Sequence, residues 1–345
     1  MSAPKLPGLQ ALRGLAAVMV LIGHVLAEAE HYFALPLPGD AIPWTRGVDI
    51  FFVISGFVIT LSAQRYRGRP RAFLWRRLLR VAPLYYLFTT LMVAALLLLP
   101  ATVKDTPLDP GQIISSYAFF PYARPDGRIA PVLSLGWTLN YEIFFYVLMA
   151  LCLALPRPLL TVSGLLAALA ALGSTVSFHL PQFAFWTNPL ILEFLFGRPR
   201  PPLAKQLDPA PPDPLHSVPR PRLRPPHRPQ PAPPAPLPRR GSPGRADRRG
   251  SPGRADRRGR HAFLPNRAIP GQLLGDASYA LYLSHRFALR AATVLLLPLL
   301  PATDLGAWAY VGTTCLAALC LGTLTHLLLE RPFLMARQTP KAAPA

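Results

Sequence analysis

Eight apolar stretches, each near the length needed to cross a lipid bilayer, fix what this chain can become. They lie near residues 9–28, 47–64, 83–99, 138–155, 159–178, 182–197, 273–300 and 305–329. A hydrocarbon core of about 30 Å is crossed by roughly 20 helical residues, and within it every backbone N–H and C=O needs an internal partner. With 345 residues, 51% of them hydrophobic, the expectation is an all-α, polytopic transmembrane bundle of about eight spans. The first stretch lacks a small-residue cleavage site and carries Arg13, so it is expected to persist as a membrane helix. Cys152, Cys315 and Cys320 fall in apolar stretches without metal-ligand or disulfide spacing.

The formal charge of +20 points toward nucleic acid only until its distribution is read. Seven arginines and no acid lie between Arg65 and Arg80, in the link between the second and third stretches. The positive-inside rule places that link in the cytoplasm. Alternation then puts both termini, Arg157 and the block beginning at Arg198 on the same side. Nucleic acid is therefore not an expected partner; membrane lipid is. Residues 198–260 are different material: 16 of the 36 Lys+Arg, 19 of the 43 prolines, and RRGSPGRAD repeated unchanged at 239–247 and 248–256. Such composition cannot bury a core and predicts disorder. Two origins fit it: a genuine basic linker, or a GC-rich gene read out of frame. The resulting organisation is a transmembrane part over 1–197, a Pro/Arg-rich segment over 198–262, and a second transmembrane part with a short tail over 263–345.

Ionisable groups inside spans are costly and usually face a protein-lined path. Arg13 and His24 stand eleven residues apart in GLQALRGLAAVMVLIGHVLA. Eleven steps of 100° overshoot three turns by only about 20°, so both share one face, about 16 Å apart along the axis. Counted from its cytoplasmic start, His24 lies about 22 Å into a core of about 30 Å. Asp49 in RGVDIFFVISGF, Glu142 in LGWTLNYEIFFYVL and His285 in SYALYLSH count to the same outer third. Arg13, Arg76, Arg77 and Arg80 stay at the inner end. An outer acid/base cluster above an inner basic mouth is the expectation. Each residue also has a plain structural reading. Arg13 can snorkel, Asp49 can cap its helix, and Gly47 and Gly56 can simply permit close helix approach. Trp137 and Tyr282 suit packing or an interfacial belt, and the arginines suit anchoring.

Taken together, the Arg13-x10-His24 spacing, GVDIFFVISGF, RRLLRVAP and SYALYLSH resemble the acyltransferase 3 family of integral-membrane acyltransferases. GWTLNYE looks most similar to the branch that acetylates exopolysaccharide, of the succinoglycan type. The family is generally described with ten spans, two more than are counted here. The resemblance implies transfer of an acyl group, acetyl from acetyl-CoA, to a sugar hydroxyl of a cell-surface glycan or lipid-linked sugar at the bacterial inner membrane. It implies an acyl-CoA donor and no metal. The residue types suit that chemistry. Arg13, Arg76, Arg77 and Arg80 can bind CoA phosphates, and His24 can act as general base. Glu142 or Asp49 can orient the imidazole, while Trp137, Tyr282 and His285 are placed as substrate-contacting or orienting groups. An acyl-histidine intermediate competes with general-base attack. The rival reading is a transporter or flippase with a buried proton relay; it predicts inverted repeats, which the sequence does not display.

Overall fold

The computed structural model describes residues 6–34, 42–100, 103, 108–197 and 270–336. The segment 198–262, with its repeat, lies outside them. All described residues belong to one compact unit. Its long helices are α1 (Pro7–Phe33), α2 (Gly47–Gln64), α3 (Pro70–Leu98), α5 (Trp137–Cys152), α6 (Pro158–Thr175), α9 (Pro270–Leu295) and α10 (Asp304–Thr325). Short helices α4 (Pro110–Tyr117), α7 (Pro181–Trp186), α8 (Glu193–Phe196) and α11 (Arg331–Ala336) complete it. Among the described residues there is no strand, only an isolated bridge between Ala123 and Ile129. The chain is thus an all-helical polytopic membrane protein, and among the described residues seven helical segments are long and apolar enough to span.

Seven, not eight, follows from residues 182–197. The apolar run reads as a span, yet Pro189 cannot continue a helix begun before it, and the Asn188 side chain caps Leu190 N–H at 2.9 Å. The run breaks into α7, a 3-10 turn over Pro189–Leu192 and α8. It folds onto its neighbours instead of crossing. Gly56 of α2 meets the backbone of Phe194, and Gly197 meets that of Val53, so closely that a Cβ at either glycine would overlap a carbonyl oxygen. The small-residue reading of Gly56 is the one the packing uses.

Proline opens six of the eleven helices named above at the first position, where its missing N–H costs nothing: Pro7, Pro70, Pro110, Pro158, Pro181 and Pro270. At the far end, Pro332 would crowd the Leu328 carbonyl. The preceding turn, His326–Glu330, is widened to a π-helix, and α10, this turn and α11 form one continuous segment, Asp304–Ala336.

Two apolar cores hold the bundle. One joins α2, α3, α5 and α6 through Phe52, Phe73, Tyr85, Phe145 and Leu166. The other joins α1, α9 and α10 through Leu21, Val25, Leu281, Leu289 and Tyr310. The outer surface stays apolar: Leu98, Leu305, Leu316 and Leu328 are all exposed. Many exposed large apolar side chains are unfavourable in water and matched in lipid. Outside the spans, Asp109 caps α4, its Oδ1 accepting from Gly111 N–H at 2.8 Å, while Oδ2 accepts from the Tyr122 hydroxyl at 2.5 Å. That hydroxyl and the two cap N–H groups hold the Asp109 carboxyl below the usual carboxylate range.

Candidate active site

Helices α1 and α9 run parallel. Gly14 faces Gly275, and a Cβ on Gly275 would overlap the Gln10 carbonyl, so the two backbones touch. That contact repeats higher up with the same offset of 261 residues: His24 Nδ1 lies 3.0 Å from His285 Nε2. The imidazole planes lie within 20° of each other with centroids 5.1 Å apart, so the rings meet edge to edge through this contact. His285 is 1% exposed, and its Nδ1 lies 3.2 Å from the Leu281 carbonyl.

These contacts decide the tautomers. A carbonyl only accepts, so His285 Nδ1 carries a proton and, with the ring neutral, Nε2 is bare. His24 Nδ1–H then donates to that lone pair, leaving His24 Nε2 unprotonated. A backbone carbonyl thus sets, through two rings, which nitrogen of His24 is available as a base.

The expected partner for His24 was a carboxylate, and the structure corrects this. Glu142 Oε1 accepts from Ser55 at 3.1 Å and Tyr146 at 2.6 Å. It lines a cavity of about 160 Å³ with Arg13, Arg77, Arg80, Tyr279 and Tyr282. The depth count placed Glu142 beside His24 because it started α5 at the membrane boundary. In fact α5 begins beneath a 3-10 turn, Ser134–Gly136, whose Leu135 and Gly136 are buried. Glu142 therefore sits level with Ser55, midway along α2.

Of the basic residues expected at the inner mouth, Arg13, Arg77 and Arg80 line the cavity. Arg77 is held by the Val58 carbonyl at 3.2 Å and by the Ser62 hydroxyl, with its guanidinium over the Phe73 and Tyr146 rings. At the other end, Tyr282 donates to the Leu135 carbonyl at 3.2 Å and lies 3.0 Å from the Thr138 hydroxyl. Its ring centroid is 6.1 Å from that of His285. One aromatic ring therefore separates the cavity from the histidine pair.

Three expected site residues are not brought into this arrangement. Asp49 lies in the first turn of α2, paired with Arg46 at 3.0 Å. Arg76 is exposed on α3, outside the cavity lining. Trp137 packs edge-on against Phe52 and Tyr141. Conversely, sequence reading missed Glu28, Thr293 and Tyr310, which meet one turn beyond the histidine pair. Glu28 stands four residues after His24, so the face arithmetic that links Arg13 to His24 also reaches it. Among the described residues, no three His, Cys, Asp or Glu side chains converge to hold a metal.

A family model described as an acyltransferase domain, acyltransferase 3, matches residues 6–203. The chain is 37% identical over 180 residues to the exopolysaccharide production protein ExoZ of Rhizobium meliloti, covering 51% of this chain and 54% of that protein. It is 34% identical over 105 residues to protein 2 in the picA locus of Rhizobium radiobacter, covering 29% and 51%. The chain thus spans about half the length of the curated relatives it matches. No solved structure matches it significantly. With the family pattern extending from α1 through α8, this chain belongs to the acyltransferase 3 family of membrane proteins.

Proposed function

We propose that this chain transfers an acyl group, acetyl from acetyl-CoA, to a sugar hydroxyl of an exopolysaccharide in the bacterial cytoplasmic membrane. The observation that carries this reading is the His24–His285 pair, 3.0 Å apart, whose hydrogen bonding leaves His24 Nε2 bare. It stands one ring from a cavity that has three arginines at its far end. Family membership favours a transferase over a carrier, and the exopolysaccharide-related relative suggests the acceptor class.

In this reading the arginine end of the cavity faces the cytoplasm, as the basic link after α2 implies, and both termini share that side. Arg13, Arg77 and Arg80 hold the phosphates of CoA. Beyond them, Val48, Phe51, Phe52 and Ile54 offer an apolar, narrow bed for the acyl-pantetheine arm. The acceptor hydroxyl gives its proton to His24 Nε2 while its oxygen attacks the thioester carbonyl carbon. The C–O bond forms, the C–S bond breaks, and the departing CoA sulfur takes the proton back from the imidazolium. His285 keeps the ring in the productive tautomer and accepts from Nδ1–H throughout, the orienting task given to a carboxylate elsewhere.

The test is transfer of labelled acetyl from acetyl-CoA to polysaccharide in membranes containing the parent or His24→Ala at equal protein level. Label with the parent, reduced about 100-fold or more by His24→Ala, is expected for loss of a general base. Equal labelling by both would refute the role of His24, and none above empty membranes would refute the transferase reading.

A further inference from the structure

Past the histidine pair, α1, α9 and α10 hold an ion pair that the chemistry above does not use. Glu28 Oε2 receives the hydroxyls of Thr293 at 3.1 Å and Tyr310 at 3.4 Å, which lie 3.0 Å from each other. Its other oxygen, Oε1, faces Arg286 Nη1 at 3.9 Å, beyond hydrogen-bond reach. The side chains remain 22% and 36% exposed respectively. One carboxylate oxygen is thus fixed by the protein while the other, with the guanidinium, stays open to a further group.

The position matters as much as the chemistry. Glu28 is one helical turn from His24 on the same face, about 6 Å away, and Arg286 follows His285 directly in the chain. Acid and base together carry no net charge, so a charged ligand would meet repulsion from one of them. A hydroxyl can donate to Glu28 and accept from Arg286 at once, and a neutral polyol supplies several. We propose that Glu28 and Arg286 form the subsite that binds a neutral sugar, with neighbouring hydroxyls on the pair and the next one directed to His24 Nε2. The last clause rests on the transferase reading; the binding site itself does not.

The experiment is direct binding to the purified full-length protein in nanodiscs. The probe is exopolysaccharide stripped of O-acyl groups with mild alkali and cut to short oligosaccharides. The parent is compared with Glu28→Gln and Arg286→Gln, which keep side-chain size, and acetyl-CoA is titrated separately as a folding and donor-site control. Each variant is expected to bind the saccharide about tenfold more weakly, the loss of one charge-assisted hydrogen bond, with acetyl-CoA binding at the parental level. Parental saccharide affinity in both variants would overturn the proposal, as would a parent that binds no saccharide. If saccharide binding shows the expected pattern but labelled acetyl is never transferred, the transferase reading fails and the subsite stands.

Discussion

His285→Leu removes the acceptor for His24 and the Nδ1–H donor to the Leu281 carbonyl, while leucine refills a site that is 1% exposed. In the parent, His24 Nδ1–H is satisfied by His285 Nε2 at 3.0 Å. Without it, the tautomer bearing that proton keeps an orphaned, partly buried donor, at a cost of about 1–3 kcal/mol. The competing tautomer moves its proton to Nε2 and avoids this penalty, but it has no lone pair there for the acceptor hydroxyl. At about 1.4 kcal/mol per tenfold change, the reactive tautomer falls by roughly 5- to 150-fold. The turnover number should fall by the same factor while KM for acetyl-CoA stays near the parental value, since the arginine end of the cavity is untouched. His285→Gln, whose amide oxygen can accept from the same N–H, should recover part of the loss. The assay is labelled acetyl transfer at saturating donor, with inserted protein quantified. Unchanged turnover in His285→Leu would refute the tautomer argument, and so would a His285→Gln variant no better than His285→Leu.

Three further outcomes follow from the packing and charges. Arg80→Gln should raise KM for acetyl-CoA about tenfold, whereas Arg76→Gln should leave it unchanged, because only Arg80 lines the cavity; a donor titration separates them. Gly56→Val places side-chain atoms into the backbone of Phe194 and should destabilise the bundle by about 1–3 kcal/mol, read as a lowered thermal midpoint in detergent. For Asp109, a folded pKa below its unfolded value of about 3.9 means its contribution is complete above that pH. It is lost as pH falls through the folded value. Protease cleavage within 118–133 should therefore be flat from pH 8 to about 5 and rise only in stronger acid, while Asp109→Asn should be cleaved faster at pH 7.

Much of the fold was legible because a bilayer imposes length and apolarity one segment at a time. Both properties are local, so α1, α2, α5, α6, α9 and α10 could be read from runs of residues. The break at 182–197 was harder: Asn188 and Pro189 sit in a run whose mean apolarity is that of a span, and hydropathy averages over such stops. In the candidate site, Arg13, Arg77 and Arg80 could be grouped by depth, since helix rise is constant within one element. Glu142 could not, because its depth depends on a buried 3-10 turn supplied by neighbouring segments.

The sequence by itself determined a helical membrane protein, the shared face of Arg13 and His24, and the basic end of the bundle. These follow from helix periodicity and the cost of burying charge in lipid, which act along a single chain segment. Only the tertiary structure decided that His24 pairs with His285 instead of a carboxylate. It alone set Glu142 among the arginines and brought Glu28, Arg286, Thr293 and Tyr310 together. Those partners lie on helices up to 282 residues apart, and their register is set by where two backbones touch, at Gly14 and Gly275.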